Sequence, residues 1–257
     1  MKNAPLQQPV ETRISVELVP RDAATLQGEL RVVRERFAAV SMINVPDLPR
    51  FSLRAWEGCA LAQPFFPHTV PHIRAIDLPA NQPWDLVETL RAQAIREILV
   101  IAGDPHPDRP PPDNASTVLQ AISRFKEAIP GIRVYAALDP YRQGFRQEYD
   151  SLQQKRAAGA DGFFTQPFFD LRLMEIYAEL LTGVPIFWGV SPVITDASRA
   201  YWEKNNKVVF PRHFEPTLAW NQAFARQALA FARSRQTHIY FMPIRMDVAV
   251  YLEGVLS

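Results

Sequence analysis

Strand-length apolar runs alternate with helix-length segments along nearly the whole sequence, and this alternation is the feature that most constrains the fold. Eight such runs occur, the first at Ile14–Pro20 and the last at His238–Ile244. Their near-continuous apolar character predicts strands buried on both faces, as in a parallel sheet covered by helices. A strand–helix unit that repeats eight times closes economically into a (β/α)8 TIM barrel, and 257 residues suit one such domain.

The boundaries of these elements follow from the apolar runs and from the amphipathic segments between them. The predicted strands are Ile14–Pro20, Ala38–Val45, Val70–Asp77, Glu97–Asp104, Arg133–Asp139, Gly162–Pro167, Pro185–Val193 and His238–Ile244. The predicted helices are Ala23–Phe37, Trp84–Ala94, Ser116–Ala128, Arg146–Ala158, Asp170–Leu181, Asp196–Asn205, Thr217–Arg235 and Asp247–Leu256. We therefore expect an N-terminal tail over 1–13 and a single barrel domain over 14–257. An open doubly wound sheet is the alternative, but no G-x-G-x-x-G turn follows the first strand, which favours the barrel.

Composition excludes several classes of protein. The formal net charge is +1, from 28 basic and 27 acidic residues, and no basic run occurs. Binding to nucleic acid is not expected, since proteins that bind it concentrate basic residues in a patch. The single cysteine, Cys59, excludes an intrachain disulfide and a CxxC metal site, and no metal is predicted. No stretch approaches the ~20 apolar residues that span a bilayer, so we expect a cytoplasmic protein without a membrane partner.

Three polar residues stand at the ends of predicted strands, where a barrel builds its active site. Glu17 lies within the first strand, and it points either into the barrel mouth or toward the helix layer; burial would raise its pKa. It is equally consistent with a structural partner for an arginine such as Arg74. Asp104 follows Gly103, which allows close approach of a ligand to the backbone. Gln166 precedes two phenylalanines that either form a stacking wall or belong to the core, and its amide both donates and accepts hydrogen bonds.

Two long connections follow predicted strands and should lie at the same end of the barrel as these residues. They are Pro46–Thr69 and the proline-rich segment Pro105–Ala115. Taken singly, His72 is equally consistent with a hydrogen bond in the core, and Lys155 with a solvated position on a helix.

Several stretches together resemble the methylenetetrahydrofolate reductase family, a set of flavin-dependent (β/α)8 barrels. In family order they are Ile14–Pro20, Pro71–Asp77, Ala102–Pro105, Lys155–Asp161, Phe164–Asp170 and Val184–Pro192. The most specific part is the pattern K-x-x-A-G-A-D followed by T-Q-x-F-F-D. The stretches span almost the whole chain.

The resemblance implies an enzyme of one-carbon metabolism that reduces 5,10-methylenetetrahydrofolate to 5-methyltetrahydrofolate, with NADH or NADPH as electron donor and FAD as carrier. Glu17 matches the acid that protonates N10 of the folate, and Asp104 matches the carboxylate that contacts the pterin. Gln166 matches an amide that contacts the folate, and Phe168 is expected beside that substrate. The expected FAD contacts are Ser41, His72, Ala137, Arg142, Glu148 and Lys155.

The chain also departs from the family pattern, mainly near the cofactor. Ala102 stands where many members have arginine, and Asp139-Pro-Tyr-Arg142 replaces a Pro-Glu-x-His turn. The segment that contains Asn44, Arg50, Arg54 and Trp56 replaces a glycine-rich one, and either Arg54 or Arg142 is a candidate to replace lost phosphate contacts.

Two further readings therefore stay open beside the flavin enzyme. One is a folate reductase that takes hydride directly from the nicotinamide without a flavin. The other is a non-catalytic folate-binding subunit of a methyl-transfer or redox complex, against which the retained Glu17 argues, since binding alone needs no acid. The sequence does not distinguish NADH from NADPH, and it leaves assembly into a homo-oligomer or with a partner subunit open.

Overall fold

Eight parallel strands close into a barrel in chain order, with β1 paired to both β2 and β8. The computed structural model describes residues 11–107 and 109–256. The closed sheet confirms the predicted (β/α)8 barrel. Most of the predicted N-terminal tail over 1–13 lies outside the described residues, and so does Asp108 in the proline-rich loop.

The strands are mostly short, and a helix follows each of them. The strands are β1 Ile14–Glu17, β2 Met42–Val45, β3 His68–Arg74, β4 Glu97–Ile101, β5 Arg133–Leu138, β6 Gly162–Pro167, β7 Ile186–Val190 and β8 His238–Phe241. The helices are α1 Ala23–Arg36, α2 Ala55–Ala62, α3 Asp85–Ala92, α4 Val118–Ala128, α5 Phe145–Ala157, α6 Leu171–Leu180, α7 Asp196–Asn206, α8 Leu218–Ser234 and α9 Val248–Leu256. A 3₁₀ turn, Ala75–Asp77, follows β3.

The largest difference from the sequence prediction is α2, which forms inside the segment Pro46–Thr69 that is predicted as a loop. Gly58 lets this short helix approach the barrel, because a Cβ there would lie 3.0 Å from Val45 Cγ1. Cys59 is fully buried on the same helix. The helix is rich in small residues, and tertiary packing rather than a long amphipathic pattern identifies it.

Side chains of the strands alternate between two cores. The outer core lies between the barrel and the helices and contains Val16, Ile43 and Ile73 among many others. The inner core fills the barrel; its buried members are Met42, Val70, Leu99, Tyr135, Phe164, Phe187, Tyr240 and Met242. The barrel is therefore packed through its middle and offers space for a ligand only at its ends.

The amino-terminal end of the barrel is closed by a polar cluster around Glu97. Arg13 Nη1 donates to both carboxylate oxygens of Glu97, at 3.0 and 2.8 Å. His68 Nδ1 lies 2.9 Å from Oε1, and the Tyr135 hydroxyl donates to Oε2 at 2.8 Å. The backbone N–H of Arg13 donates to His238 Nδ1 at 3.1 Å, which joins β8 to the start of β1. We call these five residues the base cluster.

The inner core forms a floor under the carboxyl end. The Tyr240 hydroxyl crosses from β8 to donate to the Thr165 carbonyl on β6. Gly189 makes room for this ring, since a Cβ there would lie 3.0 Å from two atoms of Tyr240 and 2.7 Å from the Thr165 oxygen. No helix among the described residues combines the length and the apolarity that crossing a membrane requires.

Candidate active site

Glu17, at the carboxyl end of β1, faces the interior of the barrel. Its neighbours Val16 and Leu18 both belong to the outer core, so the alternation of a strand sends Glu17 to the opposite face. Its side chain is 11% exposed. Arg74, the alternative partner, instead pairs with Asp77, with Nε 3.0 Å from Oδ2. Of the two orientations that the sequence leaves open, the structure therefore has the one toward the mouth.

A buried asparagine links Glu17 to His72. Asn44 Nδ2 donates to Glu17 Oε2 at 3.0 Å and lies 3.1 Å from His72 Nε2. The Ser15 hydroxyl donates to Asn44 Oδ1 at 2.8 Å, which is consistent with Nδ2 facing the Glu17 carboxyl group. Glu17 Oε2 and His72 Nε2 are 3.8 Å apart. The carboxyl ends of β1, β2 and β3 thus bring one acid, one amide and one imidazole together.

Burial sets the charges of this group. Desolvation raises the pKa of Glu17 to about 7, against the opposing effect of the Asn44 hydrogen bond. Desolvation also lowers the pKa of His72 to about 4, although the Asp47 carboxylate acts in the other direction. Near neutral pH, Glu17 is therefore close to half protonated and His72 is neutral. A carboxyl group with such a pKa can deliver a proton and recover it under the same conditions.

Asp104 and Gln166 lie at the same end of the barrel as Glu17, but they are not bonded to it. Asp104 is exposed, three residues beyond β4, and its backbone carbonyl accepts from Arg74 Nη2 at 2.7 Å. Gln166 is the half-buried penultimate residue of β6. The register of β6 on β7 shifts between Phe164 and Pro167, so simple alternation does not orient Gln166. Among the described residues, no hydrogen bond joins the side chains of Glu17, Asp104 and Gln166.

Phe168 is not at the mouth, which corrects the expectation that it contacts the substrate. It is fully buried in the outer core. Its ring lies 5.5 Å from that of Trp188 and 5.9 Å from that of Tyr177, centroid to centroid. Because it follows the end of β6, its side chain packs under α6 instead of over the barrel. The core alternative for this phenylalanine is the correct one.

Ser41 is also misplaced by the sequence prediction. It immediately precedes β2, and its backbone N–H donates to the Ile14 carbonyl at 3.0 Å, at the amino-terminal end of the strands. The predicted strand Ala38–Val45 begins four residues before β2. The expected contact of Ser41 is implied by the family resemblance, and the structure instead places Ser41 at the end of β2 away from the mouth. Asn44 is the inward-facing residue of β2 at the mouth. A single amide inside an apolar run is the sequence signal that identifies it.

Two residues that are expected to contact FAD, Lys155 and Glu148, instead bind other groups of the protein. Lys155 Nζ donates to the Ala137 carbonyl at 2.7 Å, and burial lowers the pKa of Lys155. Glu148 is buried, and its carboxylate accepts from the Asp139 N–H at 3.0 Å and from Gln143 Nε2 at 2.6 Å. Both residues hold the connection between β5 and α5.

Other residues at this edge fit a flavin dinucleotide. Ala102 and Ala137, just beyond β4 and near the end of β5, have small side chains. Gly103 is also small, but a Cβ there would lie 2.7 Å from Ile76 Cγ2, so its neighbours fill that space. Arg142 extends from the loop after β5 with 69% of its side chain exposed, 3.5 Å from Asp139. A flat ring over the small residues and a phosphate near Arg142 suit this arrangement. No group of three His, Cys, Asp or Glu residues in the described part of the chain could hold a metal ion.

A network of charged residues fixes the loops after β2, β3 and β4, beside this edge of the mouth. Arg54 binds the buried Asp47 through two hydrogen bonds, at 2.9 and 2.7 Å. Arg109 Nη1 donates to the same carboxylate at 3.1 Å and lies 3.6 Å from Asp77. Arg54 is therefore occupied and is a poor candidate for a phosphate contact. The sequence does not reveal this network, because its members come from three separate loops.

Comparison with known proteins adds evidence of a different kind. A family model described as Methylenetetrahydrofolate reductase matches residues 57–230. No curated protein matches the sequence. The fold is similar to that of 2,3-dimethylmalate lyase, a PEP mutase/isocitrate lyase superfamily member, with a TM-score of 0.60 and 11% identity over 93% of this chain and 76% of that chain. Oxaloacetate acetylhydrolase in complex with the product oxalate gives 0.57 and 11% identity, over 90% and 75%. At this identity, both structures bear on the barrel fold alone.

Proposed function

Because the chain belongs to the methylenetetrahydrofolate reductase family, we propose that it reduces 5,10-methylenetetrahydrofolate to 5-methyltetrahydrofolate, with NADH or NADPH as the electron donor and FAD as the carrier. The observation that carries the proposal is the carboxyl group of Glu17, which faces the mouth of the barrel with a pKa of about 7. Glu17 precedes the residues that match the family model, so its position in the barrel supports the proposal independently of that match.

The reaction needs a proton at one nitrogen and a hydride at one carbon. The methylene group of the substrate bridges N5 and N10; when its bond to N10 breaks, N10 takes a proton and N5 becomes an iminium. Glu17 supplies that proton and is left as the carboxylate. FAD held by His72, Ala137 and Arg142 would supply, from the nicotinamide, the hydride that converts the iminium carbon into the methyl group on N5. Burial favours the neutral acid before the transfer, and the Asn44 hydrogen bond stabilises the carboxylate afterwards.

Binding roles follow for the other residues at the mouth. We assign Asp104 to the pterin and Gln166 to the folate, since an exposed carboxylate and an amide at strand ends can pair with the donors and acceptors of a pterin ring. His72, Ala137 and Arg142 are assigned to FAD. Lys155 and Glu148 support the loop that carries Arg142, and contribute to the cofactor site only through it.

Glu17→Gln tests the catalytic assignment. We expect folate reduction to fall roughly 10²–10⁴-fold, the usual range for a lost general acid. Reduction of bound FAD by NADH should persist, because that half-reaction needs no proton at N10. Glu127→Gln, an exposed position on α4, is the matched control and should behave as the wild type. An equal loss in both half-reactions of Glu17→Gln would mean that Glu17 acts on structure and not on the proton.

Titration of the apo-protein with FAD tests the cofactor assignment. We expect saturable quenching of flavin fluorescence, and weaker binding in Arg142→Ala. Loss of a charge-assisted contact costs about 1.5–3 kcal/mol, which corresponds to about 10–150-fold in Kd. Absence of saturable binding at high micromolar FAD, together with intact NADH-dependent folate reduction, would instead establish direct hydride transfer from the nicotinamide.

A further inference from the structure

The hydrogen bonds of Asn44 impose a direction on its two neighbours. An asparagine amide has one acceptor atom, Oδ1, and one donor atom, Nδ2, with two hydrogens. Oδ1 accepts from Ser15 at 2.8 Å. Nδ2 faces Glu17 Oε2 at 3.0 Å and His72 Nε2 at 3.1 Å, so each of its hydrogens has one acceptor. All four side chains lie in the interior of the barrel, on three adjacent strands.

This arrangement determines which nitrogen of His72 carries the proton. A neutral imidazole has one N–H and one acceptor nitrogen, and Nε2 faces a donor. Nε2 must then be the acceptor, and the proton is on Nδ1. Among the described residues, no side-chain hydrogen bond engages Nδ1. His72 therefore has a hydrogen-bond donor that the protein itself does not use.

We propose that Asn44 is a positioning residue that holds His72 as the Nδ1–H tautomer, so that His72 offers a ligand a hydrogen-bond donor and accepts none from it. The ligand group that fits is an acceptor, such as a carbonyl oxygen or an unprotonated ring nitrogen. The identification of that ligand with FAD rests on the proposed function, whereas the tautomer does not. Asn44 touches neither the substrate nor the reacting atoms in this account and acts through His72 and Glu17.

The same amide distinguishes the two oxygens of Glu17. Oε2 accepts from Asn44, so a proton on Oε2 would face an N–H group, whereas no described residue donates to Oε1. The transferable proton is therefore on Oε1. Replacing Asn44 removes a hydrogen bond that lowers the pKa of Glu17, so that pKa should rise above about 7. Two other titratable groups interact with this pair: the Asp47 carboxylate raises the pKa of His72, and Glu17 raises the pKa of Tyr240. The substitution replaces neither Asp47 nor Tyr240.

Long-range ¹H–¹⁵N correlation NMR of histidine-labelled protein at pH 7 tests the tautomer directly. His238 is an internal control, because it should have the opposite tautomer. Its Nδ1 accepts from the backbone N–H of Arg13, so its proton is on Nε2. Its pKa is also lowered to about 4, so it is neutral at pH 7 like His72. We expect His72 to show a protonated Nδ1 and His238 a protonated Nε2, each in about tenfold excess over the other tautomer. His72→Phe and His238→Phe assign the signals.

Two variants test the role of Asn44. Asn44→Leu has a similar shape and removes the donor, while Ser15→Ala leaves Asn44 in place and frees its amide to rotate. In both we expect Nε2–H to become populated at His72 while His238 is unchanged. A protonated Nε2 at His72 in the wild type would overturn the proposal, and so would an unchanged tautomer in both variants. The NMR samples contain neither FAD nor folate, so the tautomer result does not depend on whether the proposed function is correct.

If the enzyme reduces folate, the pH dependence of folate reduction is a second test of the role of Asn44. Activity needs protonated Glu17 and declines as the pH rises through its pKa. In Asn44→Leu that decline should move to higher pH, because the carboxylate has lost its hydrogen bond. A merely structural defect would lower the rate at every pH without moving the decline.

Discussion

Glu97→Gln tests the base cluster that closes the amino-terminal end of the barrel. The wild-type carboxylate accepts from Arg13, His68 and Tyr135, and its side chain is 7% exposed. The glutamine keeps the shape but removes the negative charge, so Arg13 keeps a partly buried charge without its partner. Breaking a buried ion pair on one side costs about 3–5 kcal/mol. We expect the lower end, about 3 kcal/mol, because the Arg13 side chain is 18% exposed and reaches water.

The pH dependence of this effect has a definite sign. Burial alone would raise the pKa of Glu97, but the charge of Arg13 and the hydrogen bonds from Tyr135 and Arg13 outweigh it and lower that pKa below its ordinary value of 4.5. A carboxyl group with a lowered pKa in the folded state stabilises the fold above its ordinary pKa. That contribution is lost as the pH falls through the lowered value. The difference between wild type and Glu97→Gln should therefore be constant near neutrality and shrink below about pH 4.5.

Thermal unfolding measures the effect. For a domain of this size, 1 kcal/mol shifts the midpoint by about 2–4 °C, so Glu97→Gln should melt about 6–12 °C below the wild type at pH 7. Glu88→Gln is the matched control: its side chain is 73% exposed and its ion pair with Arg91 lies on the surface. Surface pairs contribute about 0–1 kcal/mol, so this variant should melt close to the wild type. If both variants had the same midpoint, the base cluster would contribute nothing beyond a surface ion pair.

Three further substitutions test single features of the barrel. Gly189→Ala places a Cβ 2.7 Å from the Thr165 carbonyl oxygen. This overpacking should lower the free energy of unfolding, measured in urea, by about 1–3 kcal/mol. An unchanged midpoint of urea unfolding would mean that β6 and β7 move apart without strain. The Val193 N–H donates to Asn221 Oδ1 at 3.0 Å, and Asn221→Leu removes this acceptor. Exchange of the Val193 amide hydrogen should therefore accelerate markedly. Exchange at the rate of the wild type would mean that another acceptor replaces Asn221. Thr117→Ala removes the side-chain N-cap of α4 and should lower the free energy of unfolding in urea by about 1 kcal/mol. Thr117→Ser should restore the stability of the wild type. A Ser variant as unstable as the Ala variant would exclude capping as the cause.

The barrel itself is predictable from sequence because its signal is repeated eight times. Each apolar run is short, and several run on past the end of the observed strand, as Ile14–Pro20 does beyond Glu17. The residues that follow a strand stay apolar because helices cover them, so hydrophobicity alone does not mark where hydrogen bonding ends. Such errors leave the topology intact. They matter for the site only where the position of a residue along its strand decides which end of the barrel it reaches, as it does for Ser41.

The site is less predictable, because the direction of a side chain depends on register and on loops. Glu17 is a conspicuous acid in an apolar strand, yet only the outer packing of Val16 and Leu18 shows that it points inward. Because the register of β6 on β7 shifts, the alternation of side chains along β6 does not predict the direction of the Gln166 side chain. Lys155 Nζ donates to the Ala137 carbonyl because of how α5 packs on β5. A sequence motif does not specify that packing.

The bond between Arg13 and His238 also bears on how the chain folds. It joins residues separated by 225 positions, and it belongs to the β1–β8 pairing that closes the barrel. Closing so long a loop is entropically costly and is offset only when contacts along the whole sheet form together. Until then, β1 and β8 present unpaired backbone groups to solvent, the edges through which incomplete sheets aggregate. Barrel closure is thus the step at which this sequence is most exposed to misassembly, and the base cluster stabilises the product of that step.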